Sequence, residues 1–566
     1  MKKRTQHIGA LLVVLLLPML ALNATDLSEE DGRKFDYFFM EANRQKMKGE
    51  YQKAAEMYQN CLRIDPESAV SHFELGKILL MAGDEDNALM LLRKATELNP
   101  RNEWYQIYLA GVFEHGNKYA QAIEVYEGLR KNNPSKVDYY YRLGSLYTQT
   151  EQYAKAIDVY DDLEALEGMD DAVVMEKRRL YLLADDKKGA LNEIKRLVDK
   201  YPKEARYYIV LGDYYVGIDN YKKAKKAYNK ASDIDENNGF LQMSLAAYYD
   251  EIGDSVQSQV ALKQAFLSQE ISYEQKMQIL VQNMMQVAQG QGDKAEVEEL
   301  VQVLKETHPE EANTYFFYAN FLMEDSTQTA TVVDNLKKVV ELDASNEEAW
   351  MQLVQLAFQE EDFELALRYT GDAELGGVQS SRLYFYRGIA AHQLKNLEIA
   401  KMAYEKGIQL TTDNDALKAQ LLGSLGDVYY ELEEASKAFS TYEEALALDA
   451  HNTMVLNNYA YFLSEKDTLL RKAEAMSAKC IELDPGNPTF LDTYAWILFM
   501  RDNLLLAKFY MEQAIHNMQE DNEVLFDHYA DILWANDEKE QAREYWQKAI
   551  DAGGDEAALK KKIAQE

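Results

Sequence analysis

Hydrophobic positions recur along this chain with a period of 34 residues, from residue 35 almost to the end. Units that begin at 35, 69, 103, 137, 171, 205 and 239 keep strict register. After small insertions, eight more begin at 278, 313, 347, 381, 419, 454, 488 and 523. A period of this length predicts stacked modules, because one module alone buries too little apolar surface to fold. The chain is therefore predicted to be one array of 15 units rather than several globular domains.

Within a unit the apolar residues follow the spacing of helices. The fourth residue is aromatic or large, the seventh and eighth are Leu-Gly or an equivalent pair, and the eleventh is apolar, as in Leu143, Gly144 and Tyr147. The twentieth is Ala in 12 of the 15 units, and the twenty-fourth is often aromatic. Spacings of three and four residues place such side chains on one helical face. Each unit is therefore predicted to be two helices that cross closely at the small eighth residue.

Turn residues separate the predicted helices. A Gly or polar residue near position 15 predicts a turn between the two helices of a unit. Proline ends the second helix in six units, because it has no N–H to extend the hydrogen-bond ladder; these residues are Pro66, Pro100, Pro134, Pro202, Pro309 and Pro485. Two insertions, at Ser268–Met277 and Thr411–Lys418, are either bends between blocks or longer loops. We expect loops, since added loop length costs little.

The repeated positions resemble the tetratricopeptide repeat, with its aromatic-x2-Leu-Gly-x2-Tyr, Ala-x3-Phe/Tyr-x2-Ala and Pro signature. The resemblance covers about residues 35–550. It implies an all-α solenoid of about 15 helix-turn-helix units in a right-handed superhelix, with the first helices lining a concave surface. By register the array divides into residues 35–272, 273–418 and 419–552. A segment 25–34 leads into it, and a polar capping helix, 553–566, ends it.

The beginning of the sequence has the pattern of a secretory signal. Lys2, Lys3 and Arg4 precede an apolar stretch from Ile8 to Leu22, which exits through small residues. This stretch is short for a membrane span, which needs about 20 residues. We expect residues 1–24 to be a signal peptide and the chain to be exported, with the periplasm as its compartment and no stable membrane insertion afterwards. An uncleaved anchor is the alternative.

Composition excludes several classes of function. The chain has 61 Lys and Arg against 96 Asp and Glu, a net charge of −35, which disfavours nucleic acid as a partner. The two cysteines, Cys61 and Cys480, both stand at position 27 and are predicted to be small core residues. No two of the 8 His are four residues apart, and Gly-rich phosphate loops and Gly-x-Ser-x-Gly elbows are missing from the sequence. We therefore predict no metal, no cofactor and no enzymatic activity.

The resemblance assigns the groove to positions 2, 5, 9, 12 and 13 of the first helices. Some members of the family bind a chaperone's carboxyl terminus through Lys at position 5 and Asn at position 9. In this chain Asn43 is at position 9 of the first repeat, but position 5 is Phe39 instead of lysine. The clamp is therefore absent. The predicted protein-binding residues are Phe39, Phe73, Trp104, Tyr141, Phe317, Phe321, Phe385, Phe462 and Trp496, interleaved with Ser145, Asp213, Gln355 and Asp427. Such a trough suits a polypeptide with apolar anchors and some Lys or Arg. Alternatively, a given ring packs on the neighbouring first helix.

Three runs in the last third, Leu456–Leu463, Phe490–Trp496 and Asp527–Asp531, look like those of exported bacterial envelope repeat proteins. They are also similar to the lipoprotein adaptors that present cell-wall hydrolases to a carboxyl-terminal processing protease, although the anchoring Cys is missing here. We therefore predict a non-enzymatic periplasmic scaffold that binds envelope proteins. The alternatives are a protease adaptor, and an enzyme or glycan-binding module with a site assembled across repeats.

Overall fold

The structure, a computed structural model, describes residues 27–565. The predicted signal peptide, residues 1–24, lies outside the described residues. Within them every regular element is helical, with 31 α-helices and one short 3₁₀ turn at Ser326–Gln328. Thirty of the α-helices form 15 successive hairpins, and the last helix stands alone after them. The predicted all-α solenoid is therefore confirmed.

Two compact units make up the chain, one ending at Ile271 and the other beginning at Ser272. The first contains α1 (Glu29–Met47), α2 (Tyr51–Ile64), α3 (Ala69–Met81), α4 (Glu85–Leu98), α5 (Glu103–His115), α6 (Tyr119–Asn132), α7 (Val137–Gln149), α8 (Tyr153–Glu167), α9 (Asp171–Leu183), α10 (Lys187–Lys200), α11 (Ala205–Val216), α12 (Tyr221–Ile234), α13 (Gly239–Glu251) and α14 (Ser255–Leu267). The second contains α15 (Tyr273–Ala288), α16 (Lys294–Thr307), α17 (Ala312–Leu322), α18 (Thr329–Leu342), α19 (Glu347–Gln359), α20 (Phe363–Leu375), α21 (Ser381–Gln393), α22 (Leu397–Leu410), α23 (Asp415–Glu431), α24 (Ala435–Leu448), α25 (Thr453–Glu465), α26 (Leu470–Leu483), α27 (Pro488–Met500), α28 (Leu504–Asn517), α29 (Glu523–Ala535), α30 (Lys539–Asp551) and α31 (Glu556–Ile563). Odd-numbered helices up to α29 are the first helices of the repeats.

The turn inside each hairpin of the first compact unit requires a left-handed residue. Position 15 has positive φ in all seven of these repeats, at Gly49, Gly83, Asn117, Glu151, Asp185, Asp219 and Gly253. A left-handed residue after a helix returns the chain and satisfies the last carbonyl groups of that helix. The predicted turn is confirmed, and glycine is not needed for it in four of the repeats.

Glycine at position 8 is needed for close helix crossing, as the sequence predicted. A Cβ placed on Gly212 would lie 2.2 Å from Cε1 of Tyr228, the position-24 residue of the same repeat. The same Gly–Tyr contact recurs at Gly388 with Tyr404, where the distance is also 2.2 Å. Tyr228 and Tyr404 are each 1% exposed. In these repeats the eighth residue is therefore glycine because the tyrosine ring of the second helix occupies the place of a Cβ.

Replacing Gly212 with alanine is expected to lower the free energy of unfolding by about 1–3 kcal/mol, because the new methyl group overlaps the Tyr228 ring. Gly111 in α5 is the matched control, since a Cβ there meets no atom within 4 Å. Gly111→Ala should instead stabilise the helix by about 0.5–1 kcal/mol. Urea unfolding followed by circular dichroism measures both changes. Equal effects of the two substitutions would contradict the packing assigned to position 8.

The fifth repeat has an ionic interior that the sequence pattern did not predict. Lys177 occupies position 7, where leucine is typical, and is 2% exposed. Its Nζ lies 2.7 Å from Glu164 and 3.4 Å from Glu193, and it also pairs with Asp161. Arg196 lies 3.0 Å from Glu164 and completes the cluster. Burial alone disfavours the ammonium, but the hydrogen bonds that Lys177 donates to Asp161 and Glu164 raise its pKa above the ordinary value.

Each of the two insertions is divided between a loop and the start of the next helix. After α14 the chain forms a loop and then the 16-residue helix α15, so the first insertion lies at the division between the compact units. The second is divided in the same way, because residues 411–414 are loop and residues 415–418 begin α23, which is 17 residues long. The expectation of a loop is therefore wrong for Tyr273–Met277 and for Asp415–Lys418. Asn414 caps α23 by accepting a hydrogen bond from the Leu417 amide, which explains why the added residues continue the helix.

The remaining core residues follow the predicted pattern. Cys61 and Cys480 are fully buried free thiols, and burial raises the pKa of each to about 11. Leu559 of α31 is 3% exposed and packs on the last repeat, so this helix covers the end of the array.

In the part of the chain that the structure describes, no helix is both long and apolar enough to cross a membrane.

Candidate functional site

Groove positions of two successive repeats meet in a cavity of about 590 Å³ in the first compact unit. Leu80 and Met81, positions 12 and 13 of one repeat, lie on α3. Trp104, Ile107 and Gly111, positions 2, 5 and 9 of the next repeat, lie on α5. The cavity is therefore built from the positions that the resemblance assigned to the groove. Its volume is within the range of protein sites that accommodate large apolar groups.

Two large apolar side chains of this cavity face solvent. Trp104 is 63% exposed and Met81 is 59% exposed. Completely burying a side chain of this kind is worth about 1.5–3 kcal/mol. The cavity thus has apolar surface available to stabilise a bound apolar group.

Gly111 forms an open part of the cavity wall. A side chain at this position would meet no atom within 4 Å, so packing does not require glycine here. Glycine inside a helix costs roughly 0.5–1 kcal/mol relative to alanine. Since a larger residue would fill the space beside Trp104 and Ile107, the glycine keeps the cavity open at the expense of helix stability.

The edge of the cavity is polar and carries both charges. Glu85 and Lys118 line it, together with His115 at position 13 of the α5 repeat. Groups of this kind can bind the amide and carbonyl groups of a polypeptide whose apolar side chain occupies the cavity. The cavity, hereafter the Trp104 cavity, therefore combines an apolar interior with hydrogen-bonding groups at its edge.

The other predicted rings of the first compact unit differ in exposure. Phe73 is 3% exposed and stacks on Tyr105 with centroids 4.4 Å apart, so packing between helices accounts for it. Phe39 is half-buried between neighbouring rings. Tyr141 is 45% exposed and contacts Tyr160 edge-on. Of these three, Tyr141 presents the most surface to a ligand.

In the second compact unit, Phe317 is 41% exposed, whereas Phe321 and Phe385 are half-buried. Phe462 stacks on Tyr430 with centroids 3.8 Å apart. Each of these rings has another aromatic ring within 6.5 Å. Contacts with neighbouring rings therefore account for part of the surface of each of these four side chains.

Trp496 lies in a small polar cluster with a buried ion pair. Its ring stacks on His528 with centroids 4.1 Å apart, and its Nε1 is buried without a hydrogen-bond acceptor in the described residues. His528 Nδ1 lies 2.9 Å from Asp492, and both side chains are less than 10% exposed. Burial disfavours the imidazolium, but Asp492 raises the pKa of His528 above its ordinary value. The ring is thus held in place by an adjacent buried pair.

Three repeats have an aspartate at position 9 that accepts hydrogen bonds from two side chains. Each of the two donors lies at the same sequence distance from the aspartate in all three repeats. The first donor lies 15 residues further on, at position 24: Tyr228 for Asp213 at 2.8 Å, Tyr442 for Asp427 at 2.6 Å and Trp546 for Asp531 at 3.0 Å. The second lies 31 residues further on, in the next odd-numbered helix: Ser244 for Asp213, Asn458 for Asp427 and Lys562 for Asp531. Sequence reasoning placed Asp213 and Asp427 in the groove but missed these donors, which the constant spacing would have indicated.

The three aspartates differ in charge compensation. Lys562 lies 2.8 Å from Asp531 and gives that carboxylate a cation. Asp213 faces Arg178. The hydrogen-bond donors to Asp427, Tyr442 and Asn458, are both neutral. Burial raises the pKa of the Asp427 carboxyl above its ordinary value, although His392 acts in the opposite direction.

Sequence comparison identifies the repeats. Tetratricopeptide repeat models match residues 47–108, 113–169, 205–238 and 419–452. The chain therefore contains tetratricopeptide repeats, and the resemblance is confirmed in these segments. Such repeats indicate a scaffold for protein–protein interaction. No curated protein matches the sequence.

Several solved structures are similar at low sequence identity. The structure of Naa15/Naa10 bound to HypK-THB is 14% identical with a TM-score of 0.39, over 94% of each chain. The crystal structure of YrrB, a TPR protein with an unusual peptide-binding site, is 20% identical with a TM-score of 0.28, over 34% of this chain and 95% of that chain. The yeast Tom70 structure is 14% identical with a TM-score of 0.29, over 95% of this chain and all of that one.

Proposed function

We propose that this protein is a non-enzymatic scaffold of the bacterial cell envelope that binds polypeptide segments of other envelope proteins in the groove of its first helices. The Trp104 cavity carries the proposal, because it joins exposed apolar side chains of two repeats around a glycine that packing does not require. An aromatic or branched side chain of the partner would occupy the cavity, and its backbone would lie along the polar edge. The net charge of −35 adds a preference for partners with basic residues.

The periplasmic location is part of the proposal and is supported by the sequence of the first 24 residues. A basic start, an apolar stretch and small residues at its end have the order of a secretory signal. Fractionation of producing cells, with a cytoplasmic marker as control, tests this part separately. Recovery of the protein with the cytoplasmic marker would contradict it.

Replacing Met81 with alanine is expected to reduce the recovery of the bound partner about tenfold, since the cavity loses apolar contact area. The measurement is affinity capture of the tagged full chain from crosslinked cells, with quantitative mass spectrometry. Met90→Ala is the matched control, because Met90 is 44% exposed on α4 and does not line the cavity. It should leave recovery unchanged. Equal losses for both variants, or no reproducible partner together with a measured enzymatic turnover, would contradict the scaffold proposal.

A second candidate is an adaptor that delivers substrates to a periplasmic carboxyl-terminal processing protease. It is supported by the three C-terminal runs, in which the rings of Tyr461 and Trp496 both contact the ring of His528. Adding the purified chain to the protease should accelerate substrate cleavage. An unchanged cleavage rate would remove this candidate and leave the scaffold proposal intact.

A further inference from the structure

Asp427 is a groove carboxylate without a cation. Its Oδ1 accepts hydrogen bonds from Tyr442 Oη at 2.6 Å and from Asn458 Nδ2 at 3.1 Å, and both donors are neutral. Among the described residues no basic side chain forms an ion pair with it. Partly buried carboxylates are normally paired, because removing a charge from water is costly without a compensating cation. Asp427 therefore has hydrogen-bond donors but no ion-paired cation, which leaves it able to accept one from a ligand.

Two basic residues of the preceding repeat, His392 and Lys395, contact a different carboxylate. His392 Nε2 lies 2.7 Å from Glu431, one helical turn beyond Asp427 on α23, and Lys395 lies 3.6 Å from the other oxygen of Glu431. Neither residue pairs with Asp427. His392 lowers the pKa of the Asp427 carboxyl through space and Glu431 raises it, but no cation forms an ion pair with Asp427 among the described residues.

The same chain shows which group satisfies such an aspartate. Asp531 stands at the same repeat position and receives the same kind of bond from position 24, from Trp546 Nε1 at 3.0 Å. In the place that corresponds to Asn458 it has Lys562, 31 residues further on, whose Nζ lies 2.8 Å from Oδ2. The donor 31 residues further on is therefore a neutral amide at Asp427 and an ammonium group at Asp531.

We propose that Asp427 binds a lysine or arginine side chain of the polypeptide partner, whose cation takes the part that Lys562 plays at Asp531. This inference rests on the proposed function and names the partner residue recognised at one position of the groove. Apolar surface for the carbon stem of that side chain lies alongside. Phe462, at position 9 of the next repeat, stacks on Tyr442, with centroids 6.4 Å apart.

Asn458→Lys tests the charge directly, because it puts an ammonium group at the same spacing as Lys562. We expect the melting temperature to rise by about 1–3 °C, the shift that a modest ion pair gives in a chain of this size. The rise should vanish when Asp427→Asn is present in the same chain. Asn458→Met is the neutral control and should give no rise. A rise that is independent of Asp427, or no rise at all, would overturn the proposal.

Binding is tested with a defined probe, an amidated peptide of Leu, Ala and Lys, and its copy with Nε-acetyl-lysine in place of lysine. The full chain should bind the lysine peptide about tenfold more tightly than the acetylated copy, and Asp427→Asn and Asn458→Lys should each abolish that preference. A preference that persists in Asp427→Asn would overturn the proposal. If neither peptide binds, the proposed polypeptide-binding function is contradicted, and the melting experiment still decides whether Asp427 accepts an ammonium group.

Discussion

Replacing Lys177 with methionine is expected to lower the free energy of unfolding of the fifth repeat by about 3–5 kcal/mol. The substitution keeps the apolar stem but leaves Asp161, Glu164 and Glu193 around a site that has lost its ammonium group. Glu164 and Glu193 are themselves less than 10% exposed, so water does not replace the missing charge. Hydrogen–deuterium exchange of peptides from α8, α9 and α10 measures the loss as roughly 10²- to 10⁴-fold faster amide exchange.

Lys195→Met is the matched control for this experiment. Lys195 lies on α10, one residue before Arg196, and is exposed to solvent. Removing an exposed charge usually changes stability by less than about 0.5 kcal/mol. If Lys177→Met behaves like Lys195→Met, the buried cluster does not stabilise the fold in the way argued above.

Replacing Trp546 with alanine is expected to destabilise the C-terminal repeats by about 3–5 kcal/mol. Trp546 is 2% exposed, and its ring packs beside Trp534 with centroids 5.4 Å apart. The substitution creates a cavity and also removes the donor to Asp531. Urea unfolding measures the change in the free energy of unfolding. It is followed by circular dichroism, because that signal does not depend on the tryptophan that is removed.

Two further variants separate packing from hydrogen bonding at Trp546. Trp546→Phe keeps an aromatic ring but removes the N–H, so we expect a smaller loss of about 1–3 kcal/mol. Phe509→Ala is the control, because Phe509 is 54% exposed on α28 and should cost less than about 0.5 kcal/mol. A loss in Trp546→Ala no larger than that in Phe509→Ala would contradict the assignment of position 24 to the core.

The repeat architecture could be predicted from sequence because each regular position serves one local purpose. The 34-residue period placed the helix starts at 69, 103, 137, 171, 205 and 239, where α3, α5, α7, α9, α11 and α13 begin. The left-handed turn at position 15 and the glycine at position 8 follow from backbone geometry and from the ring at position 24. These features depend on contacts within one repeat. Because such contacts recur from repeat to repeat, they appear in the sequence as a periodic pattern.

The interior charges could not be predicted in the same way. Lys177 and Arg178 stand where the pattern expects Leu-Gly, and Lys177 depends on acids from both neighbouring even-numbered helices, α8 and α10. The favourable energy of such a group depends on the geometry of several partners, so residue type alone gives no prediction.

The sequence predicted which repeat positions line the candidate site, but not which of the aromatic residues at those positions are exposed. Phe73 and Trp104 are both aromatic groove candidates, yet Phe73 is 3% exposed and Trp104 is 63% exposed. The difference arises because Tyr105 of the next repeat stacks on Phe73, whereas Trp104 borders a cavity. Exposure of a groove ring is therefore set by its neighbours in adjacent repeats, and a list of aromatic positions does not contain that information.

Site-specific photocrosslinking at the Trp104 cavity is the most direct test of the proposed scaffold. A benzophenone amino acid at position 104 replaces one exposed ring with another, and the same group at position 90 on α4 serves as the surface control. We predict a reproducible adduct with a polypeptide partner from position 104, none from position 90, and loss of the adduct when Gly111→Leu fills the cavity. Identical adducts from both positions, or an adduct at 104 that Gly111→Leu leaves unchanged, would contradict polypeptide binding in this cavity.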